Sequence, residues 1–362
     1  MSKKKKIVFI LGGLVGGGAE KVATTLIRSW NKANYEITVI TRLDSKHDVF
    51  SLPENVKRIS IGDKGESTNK IKALLNNIPI VWKLRKMIKK SEADIVIAFL
   101  TKANIHTILA SLGLKKKVII SERNDTTRES HPWPWPLLRK FSYKFADYVT
   151  ANSEVSLNDM KKYVPISKLQ LILNPVAIPF EKAKPQSSNV IINVARLEQQ
   201  KKQHILLQAF AQIENQLSSK WTIDILGEGS ERKNLEKLSR KLEITESVHF
   251  RGFIKNPENF YRSSAIFVLT SEYEGTPNAL LEALAQGLPC IVSDSIPGAF
   301  KYVIDGKNGY YFRSGDAIDL KKKLEILLKD PDMRKKFGSN SVMLVKDLNI
   351  DKIGSHWLRL FN

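Results

Sequence analysis

What most constrains the fold of this chain is an alternation, sustained from end to end, of short unbroken apolar runs and amphipathic stretches of helical period. Lys6–Leu11, Glu36–Thr41, Val56–Ile61, Ala93–Leu100, Lys117–Glu122 and Asp147–Ala151 read as strands, each followed by helix-like sequence. Near-continuous hydrophobicity, in place of every-other-residue hydrophobicity, implies strands covered on both faces, as in a parallel sheet. Pro and small polar residues gather from Leu173 to Phe180 and again at Gln186–Asn189, marking a linker. A second series follows, with strands expected at Val190–Ala195, Thr222–Leu226, Val248–Phe253, Ile266–Thr270 and Cys290–Ser293. Helices are expected between them, including His204–Leu217 and Glu231–Leu242. This βαβ patterning on both sides of a linker predicts an α/β protein of two doubly wound, Rossmann-like domains facing a cleft. They are assigned to residues 1–180 and 181–340, with a helical tail over 341–362. Trp357, Leu358, Leu360 and Phe361 crowd that tail, an apolar end that should dock.

The 362 residues suffice for two cores, and an apolar fraction of 42% excludes disorder as the main state. One cysteine, Cys290, excludes a disulfide framework and a zinc cluster and fits a reducing cytoplasm. Ile7–Leu11 is too short for a membrane span or a signal-peptide core, so a soluble or peripheral protein is expected. Against 37 Asp and Glu stand 58 Lys and Arg, a net charge of +21. That excess calls for nucleic acid, an anionic membrane surface or a phosphorylated small molecule.

Four stretches carry chemistry. Gly12-Gly13-Leu-Val-Gly16-Gly17-Gly18-Ala19-Glu20 lies between the first strand and the first helix, where glycines let backbone N–H groups approach an anion. It is not a dinucleotide fingerprint, because Lys21 stands at the third glycine position, and this disfavours an NAD-type oxidoreductase. Arg196 and Lys201 follow the first strand of the second domain and offer a fork and a point charge suited to a diphosphate. Gly227-Glu-Gly229-Ser-Glu-Arg232 is a weaker signal, equally readable as a structural turn with Ser230 or Glu231 as helix cap. The strongest stretch runs from Ser271 to Gly287. Thr276 can cap a helix with Pro277 at its first position and Gly287 past its end, so Gly275–Asn278 would seat a phosphate. Glu274 and Glu282 flank that seat, and a carboxylate there accepts two hydrogen bonds from vicinal sugar hydroxyls. Glu282 lies among Leu280, Leu281, Ala283, Leu284 and Ala285, where an acid without a partner would be costly.

In combination and in order, the Gly16–Glu20 loop, Arg196 with Lys201, Gly227–Arg232 and the Glu274–Glu282 pair resemble the retaining glycosyltransferases of family 4. The resemblance covers almost the whole chain. It implies a GT-B fold whose C-terminal helix crosses back onto the first domain. It implies transfer of a hexose or N-acetylhexosamine from a nucleotide donor, a UDP-sugar, with retention. Arg196 and Lys201 would then bind the diphosphate, Glu282 the ribose and Glu274 the sugar, with Gly229, Gly275, Thr276, Pro277, Asn278 and Leu281 completing the donor set. Gly16, Gly17 and Gly18 would lie by the acceptor and donor phosphates.

Phe99–Asn104 and Ile119–Asp125 look closest to bacterial members that extend polyprenyl-diphosphate-linked glycans, as in surface polysaccharide or glycoprotein glycan synthesis. Several relatives carry His after the Glu, where this chain has Arg123, so Glu122 is taken as the acceptor-side base, its alternative being an ion pair with Arg123. No cofactor and no metal are expected. The only Asp-x-Asp, Asp330-Pro-Asp332, reads as a helix stop and cap, and histidines 47, 106, 131, 204 and 356 lack ligand spacing.

From Asn69 to Lys90 seven Lys or Arg and no acid interleave with Leu74, Leu75, Ile78, Trp82 and Ile88, and Pro79 should break the run. His131–Lys144 adds Trp133, Trp135 and more cations. Such patterns suit an anionic bilayer, so Lys70, Lys72, Trp82, Lys83, Arg85, Lys86, Trp133 and Trp135 are assigned to it. The location expected is the cytoplasm, at the inner face of the cell membrane. The rival reading, a basic nucleotide- or nucleic-acid-binding protein without transferase activity, lacks any recognised nucleic-acid motif.

Overall fold

The computed structural model describes residues 4–33, 35–62, 70–178, 188–217 and 219–362, with the side chains of 70–76 excluded. Asn69 and linker residues 179–187 therefore lie outside the described residues, as do the side chains of Lys70, Lys72, Leu74 and Leu75. The chain forms two compact units, one of residues 1–175 with 350–362 and one of residues 176–349.

The first unit opens with β1 (Lys6–Leu11), α1 (Gly18–Lys32), β2 (Glu36–Thr41), β3 (Lys57–Ser60), α2 (Lys70–Lys90) and β4 (Ile95–Phe99). It continues with α3 (Thr101–Ser111), β5 (Lys117–Glu122), α4 (Trp135–Ser142), β6 (Tyr148–Ala151), α5 (Glu154–Met160) and β7 (Leu169–Leu171). All seven strands are parallel, in the order β3-β2-β1-β4-β5-β6-β7. β4 is buried along its whole length, as the unbroken apolar runs require.

The second unit contains β8 (Val190–Val194), α6 (Gln203–Ala211), β9 (Thr222–Leu226), α7 (Arg232–Lys241), β10 (Val248–Gly252) and α8 (Glu258–Arg262). β11 (Ile266–Leu269), α9 (Asn278–Ala285), β12 (Cys290–Ser293), β13 (Gly309–Phe312), α10 (Ala317–Lys329) and α11 (Pro331–Val345) complete it. Its six parallel strands run β10-β9-β8-β11-β12-β13. In each sheet the strand order reverses beside the first strand, between β1 and β4 and between β8 and β11. Loops at the carboxyl ends of those strands are where open α/β sheets bind ligands.

α12 (Ile350–Arg359) belongs to the first unit. The return begins at Ile350 rather than at 341, because α11 runs on to Val345 with Phe337 and Val345 in the second unit's interior. Trp357 is fully buried on the first unit, edge to face with Trp30 at 6.0 Å and 5.5 Å from Phe99, and Phe361 packs 5.1 Å from Trp30. Lys5 Nζ donates to the Phe361 carbonyl at 3.0 Å.

Three local expectations are corrected. Pro79 lies inside α2 without ending it; Leu84 and Ile88 anchor the second half of the helix in the core. α6 stops at Ala211, and a single 3-10 turn over Glu214–Gln216 replaces the expected continuation to Leu217. Pro277, not Thr276, occupies the cap position of α9, and no side chain caps it. Gly287 does end that helix, at φ +74°. Asp330 also caps as its sequence suggests, accepting from Met333 N at 2.8 Å.

Candidate functional site

The donor-side residues assemble at the carboxyl edge of the second sheet. The turn after β8 and the loop after β11 are stitched together by Glu272 N to Gln200 O at 2.9 Å and Gln200 Nε2 to Tyr273 O at 2.6 Å. Thr270 Oγ1 donates to Lys201 O at 2.6 Å. This stitching presents Lys201 Nζ to Glu274 Oε1, and the two form an ion pair, their side chains 9% and 17% exposed. Ser271 Oγ donates to the same carboxylate oxygen at 2.9 Å. Two residues singled out for different ligand groups, 73 positions apart, are thus direct partners. Lys202 stays outside that pair; its ammonium meets Glu272 at 3.2 Å.

Glycines allow the neighbouring loops to close on this pair. A β-carbon on Gly229 would collide with the Leu197 carbonyl, and one on Gly298 with the Gly275 carbonyl. Leu197 N donates to Glu228 O at 2.9 Å and Glu231 N to Leu197 O at 2.8 Å, so the Gly227–Glu231 loop lies against the segment bearing the exposed Arg196. Neither proposed cap of α7 acts as one by its side chain. Ser230 Oγ donates instead to Glu198 Oε2 at 3.0 Å.

Gly275, Thr276 and Pro277 are buried, Asn278 is half-buried, and the first turn of α9 directs its N–H groups toward them, as a helix start must. Glu282, half-buried, adjoins the Tyr261 hydroxyl. That phenol is driven well above its ordinary pKa by burial and by the carboxylate. Leu281 is 1% exposed and packs in the core. Sequence reasoning missed Tyr261, Gln200 and Gly298, because each acts through a partner distant in sequence, and it named Ser271 without its bond to Glu274, three residues on.

The first unit's candidates are distributed differently. Gly16 takes φ +97°, and α1 starts at Gly18. A β-carbon on Gly17 would strike the Glu20 carboxylate, which folds back over the loop. Glu122 is fully buried, with Thr101 Oγ1 2.9 and 3.1 Å from its two oxygens and the Tyr143 hydroxyl donating to one of them. Burial and then the charge of Glu129 push its pKa up to about 6. This enclosure corrects its assignment as acceptor-side base, for no face of the carboxylate is offered to a substrate. Nor does Glu122 pair with Arg123. That guanidinium lies 4.3 Å from the Phe99 ring and 5.3 Å from Trp357, and donates to Asn174 Oδ1 at 2.8 Å. Burial lowers its pKa to about 9.

The bilayer assignment is also corrected. Trp135 is 9% exposed and belongs to the core, against His106. Arg85 is engaged with the carbonyls of Ala110 and Leu112, at 3.0 and 2.6 Å, and Lys83 with that of Ile61 at 3.3 Å. Trp82 and Trp133 remain exposed, at 68% and 57%. Among the described residues no helix is long and apolar enough to cross a membrane, and no cluster of three His, Cys, Asp or Glu could hold a metal.

Two Rossmann-like units with donor-type loops on the second sheet define a glycosyltransferase of the GT-B class. The chain belongs to glycosyltransferase family 4: residues 16–178 match the family model "Glycosyltransferase Family 4" and residues 177–342 match "Glycosyl transferases group 1". It is 31% identical, over 98% of both chains, to an α-1,4-N-acetyl-D-galactosaminyltransferase of Campylobacter jejuni whose named substrate is a diphospho-undecaprenol-linked glycan. Over 87% of both chains it is 26% identical to a lipopolysaccharide 1,6-galactosyltransferase of Salmonella typhimurium. Among solved structures it resembles the galactosyltransferase WaaB, with a TM-score of 0.73 and 22% identity over 98% of both chains. Anabaena HepE in complex with UDP gives 0.80 and 20%, again over 98% of both.

Proposed function

We propose that this enzyme transfers a hexose or N-acetylhexosamine from a UDP-sugar to a polyprenyl-diphosphate-linked glycan, with retention at the anomeric carbon. The observation that carries the donor half is the enclosed Lys201–Glu274 pair, set beside the start of α9 and glycine-lined loops. The lipid-linked acceptor is supported by the named substrate of the Campylobacter relative. In this reading Arg196, Lys201 and the first turn of α9 hold the diphosphate, Glu282 takes the ribose hydroxyls, and Glu274 orients the sugar. The bond from the anomeric carbon to the UDP oxygen breaks, and the acceptor oxygen bonds to that carbon on the same face. Its proton passes to the departing phosphate, so no carboxylate base is required. Lys201 and its neighbours neutralise the leaving charge in place of a divalent cation.

The test is a screen of UDP-sugars with a synthetic polyprenyl-diphosphate glycan, read by product mass and by the anomeric configuration in NMR spectra. One UDP-sugar is expected to give an α-linked product at a rate a chelator leaves unchanged. UDP should raise the melting temperature where duplex DNA does not. An inverted linkage, or stabilisation by DNA alone, would overturn the reading.

Association with the inner face of the membrane completes the proposal. Its surface differs from the one the sequence suggested: Trp133, Leu137, Phe141 and Phe145 with Lys140 and Lys144 around α4, and Trp82 with Lys86 on α2. Co-sedimentation with phosphatidylglycerol vesicles is expected to fall several-fold in the double variant Phe141→Ser, Phe145→Ser, since each removes an interfacial aromatic. Unchanged co-sedimentation would exclude this face.

A further inference from the structure

The loop after β11 is held from both sides, because β11 lies between β8 and β12 in the sheet. On the β8 side it is tied to the Gln200–Lys201 segment through Tyr273 O and Thr270 Oγ1. On the β12 side stands a pair of serines. Ser293 ends β12, and its hydroxyl oxygen lies 2.8 Å from that of Ser295. Ser295 Oγ in turn donates to the Ser271 carbonyl at 3.4 Å. Gly298 completes this side, its backbone packed on Gly275 too closely to admit a β-carbon. Ser271 sits between the two sides with no exposed surface. A hydroxyl so buried is costly unless it is bonded, and its bond goes to the Glu274 carboxylate.

That carboxylate is used unevenly. Lys201 Nζ and Ser271 Oγ both meet Oε1, and Oε2 accepts no hydrogen bond from any of the described residues. The two donors at Oε1 respond differently to an arriving diphosphate. An ammonium has three protons and a full charge, so phosphate oxygens compete with the carboxylate for it. A serine hydroxyl is neutral and has one proton, which the carboxylate already holds. The bond from Ser271 is therefore the one that remains when Lys201 turns to phosphate.

We infer that Ser271 is a positioning residue for the transfer. It holds Glu274 by Oε1 so that Oε2 faces a hydroxyl of the donor sugar while Lys201 serves the diphosphate. This rests on the UDP-sugar reading and adds to it the group that keeps Glu274 in place once the donor is bound.

In Ser271→Ala, kcat for sugar transfer should fall about ten-fold, the weight of a hydrogen bond to a charged group. Binding of UDP, which lacks the sugar, should be unchanged in calorimetry. The loss should also depend on Glu274: in a Glu274→Gln background, adding Ser271→Ala should change kcat less than about two-fold. UDP-deoxy-sugars, each lacking one hydroxyl, locate the contact. One of them should be about ten-fold slower than the parent sugar in the wild-type enzyme and no slower than the parent in Ser271→Ala. Melting curves check that the variants keep their fold, and Ser271→Cys, a weaker donor of similar shape, should give an intermediate rate. Weaker UDP binding in Ser271→Ala, or losses that simply add in the double variant, would make Ser271 a general support of the loop and overturn the inference. Absence of turnover with every UDP-sugar in the wild-type enzyme would instead sink the donor reading, and the positioning role with it.

Discussion

Lys201→Met is expected to abolish sugar transfer and also to cost the second unit about 3 kcal/mol, because it leaves the Glu274 carboxylate enclosed without its cation. The two losses have different origins and can be separated. In Lys201→Met, Glu274→Gln no charge is stranded, so most of the stability should return, whereas transfer should stay down by at least about 100-fold. Denaturant melts of the two single variants and the double variant, with initial rates beside them, form the complete cycle. Wild-type rates in Lys201→Met would remove Lys201 from the site. A double variant as unstable as Lys201→Met would show that the cost comes from losing the pair itself and not from a stranded Glu274 carboxylate. Glu282→Ala belongs beside this set, since it should lose turnover with UDP-sugar while remaining folded.

The second large effect is on stability alone. Trp357→Ala deletes a fully buried indole that touches Trp30, Phe99 and the Arg123 guanidinium. A cavity of that size costs about 3–5 kcal/mol and should lower the melting temperature of the first unit by roughly 10 °C. Hydrogen exchange should locate the damage: protection lost in β1, β4 and α1, and kept in β8, β9 and β11. Uniform loss across both units would mean that they unfold as one, and unchanged protection would mean that α12 is dispensable.

The sequence exposed what is periodic and hid what is relational. Strands such as Ile95–Phe99 are apolar at every residue and could be read directly, and so could the start of each series of loops. β7, of three residues, is too short to show a pattern, and β13 opens on Gly309 with two half-buried tyrosines in place of an unbroken aliphatic run. Trp135 and Trp133 look alike two positions apart, yet one lies against His106 and the other faces solvent. The glutamate at 122 could be found but not its enclosure, because Thr101 and Tyr143 reach it from different helical segments. Likewise Arg196, Lys201, Glu274 and Glu282 stood out by type and spacing, whereas the pairing of two of them depends on how β8 and β11 adjoin.

The return of α12 has a consequence for the order in which the protein is made. Phe9, Trp30 and Phe99 emerge early from the ribosome, but the tryptophan and phenylalanine that cover them, Trp357 and Phe361, are synthesised after the entire second unit. The first unit therefore shows bare aromatic surface until α12 is made and docks. A chain that stopped between Asn349 and Trp357 would lack both covering aromatics and leave Trp30 and Phe99 as an adhesive surface on the first unit.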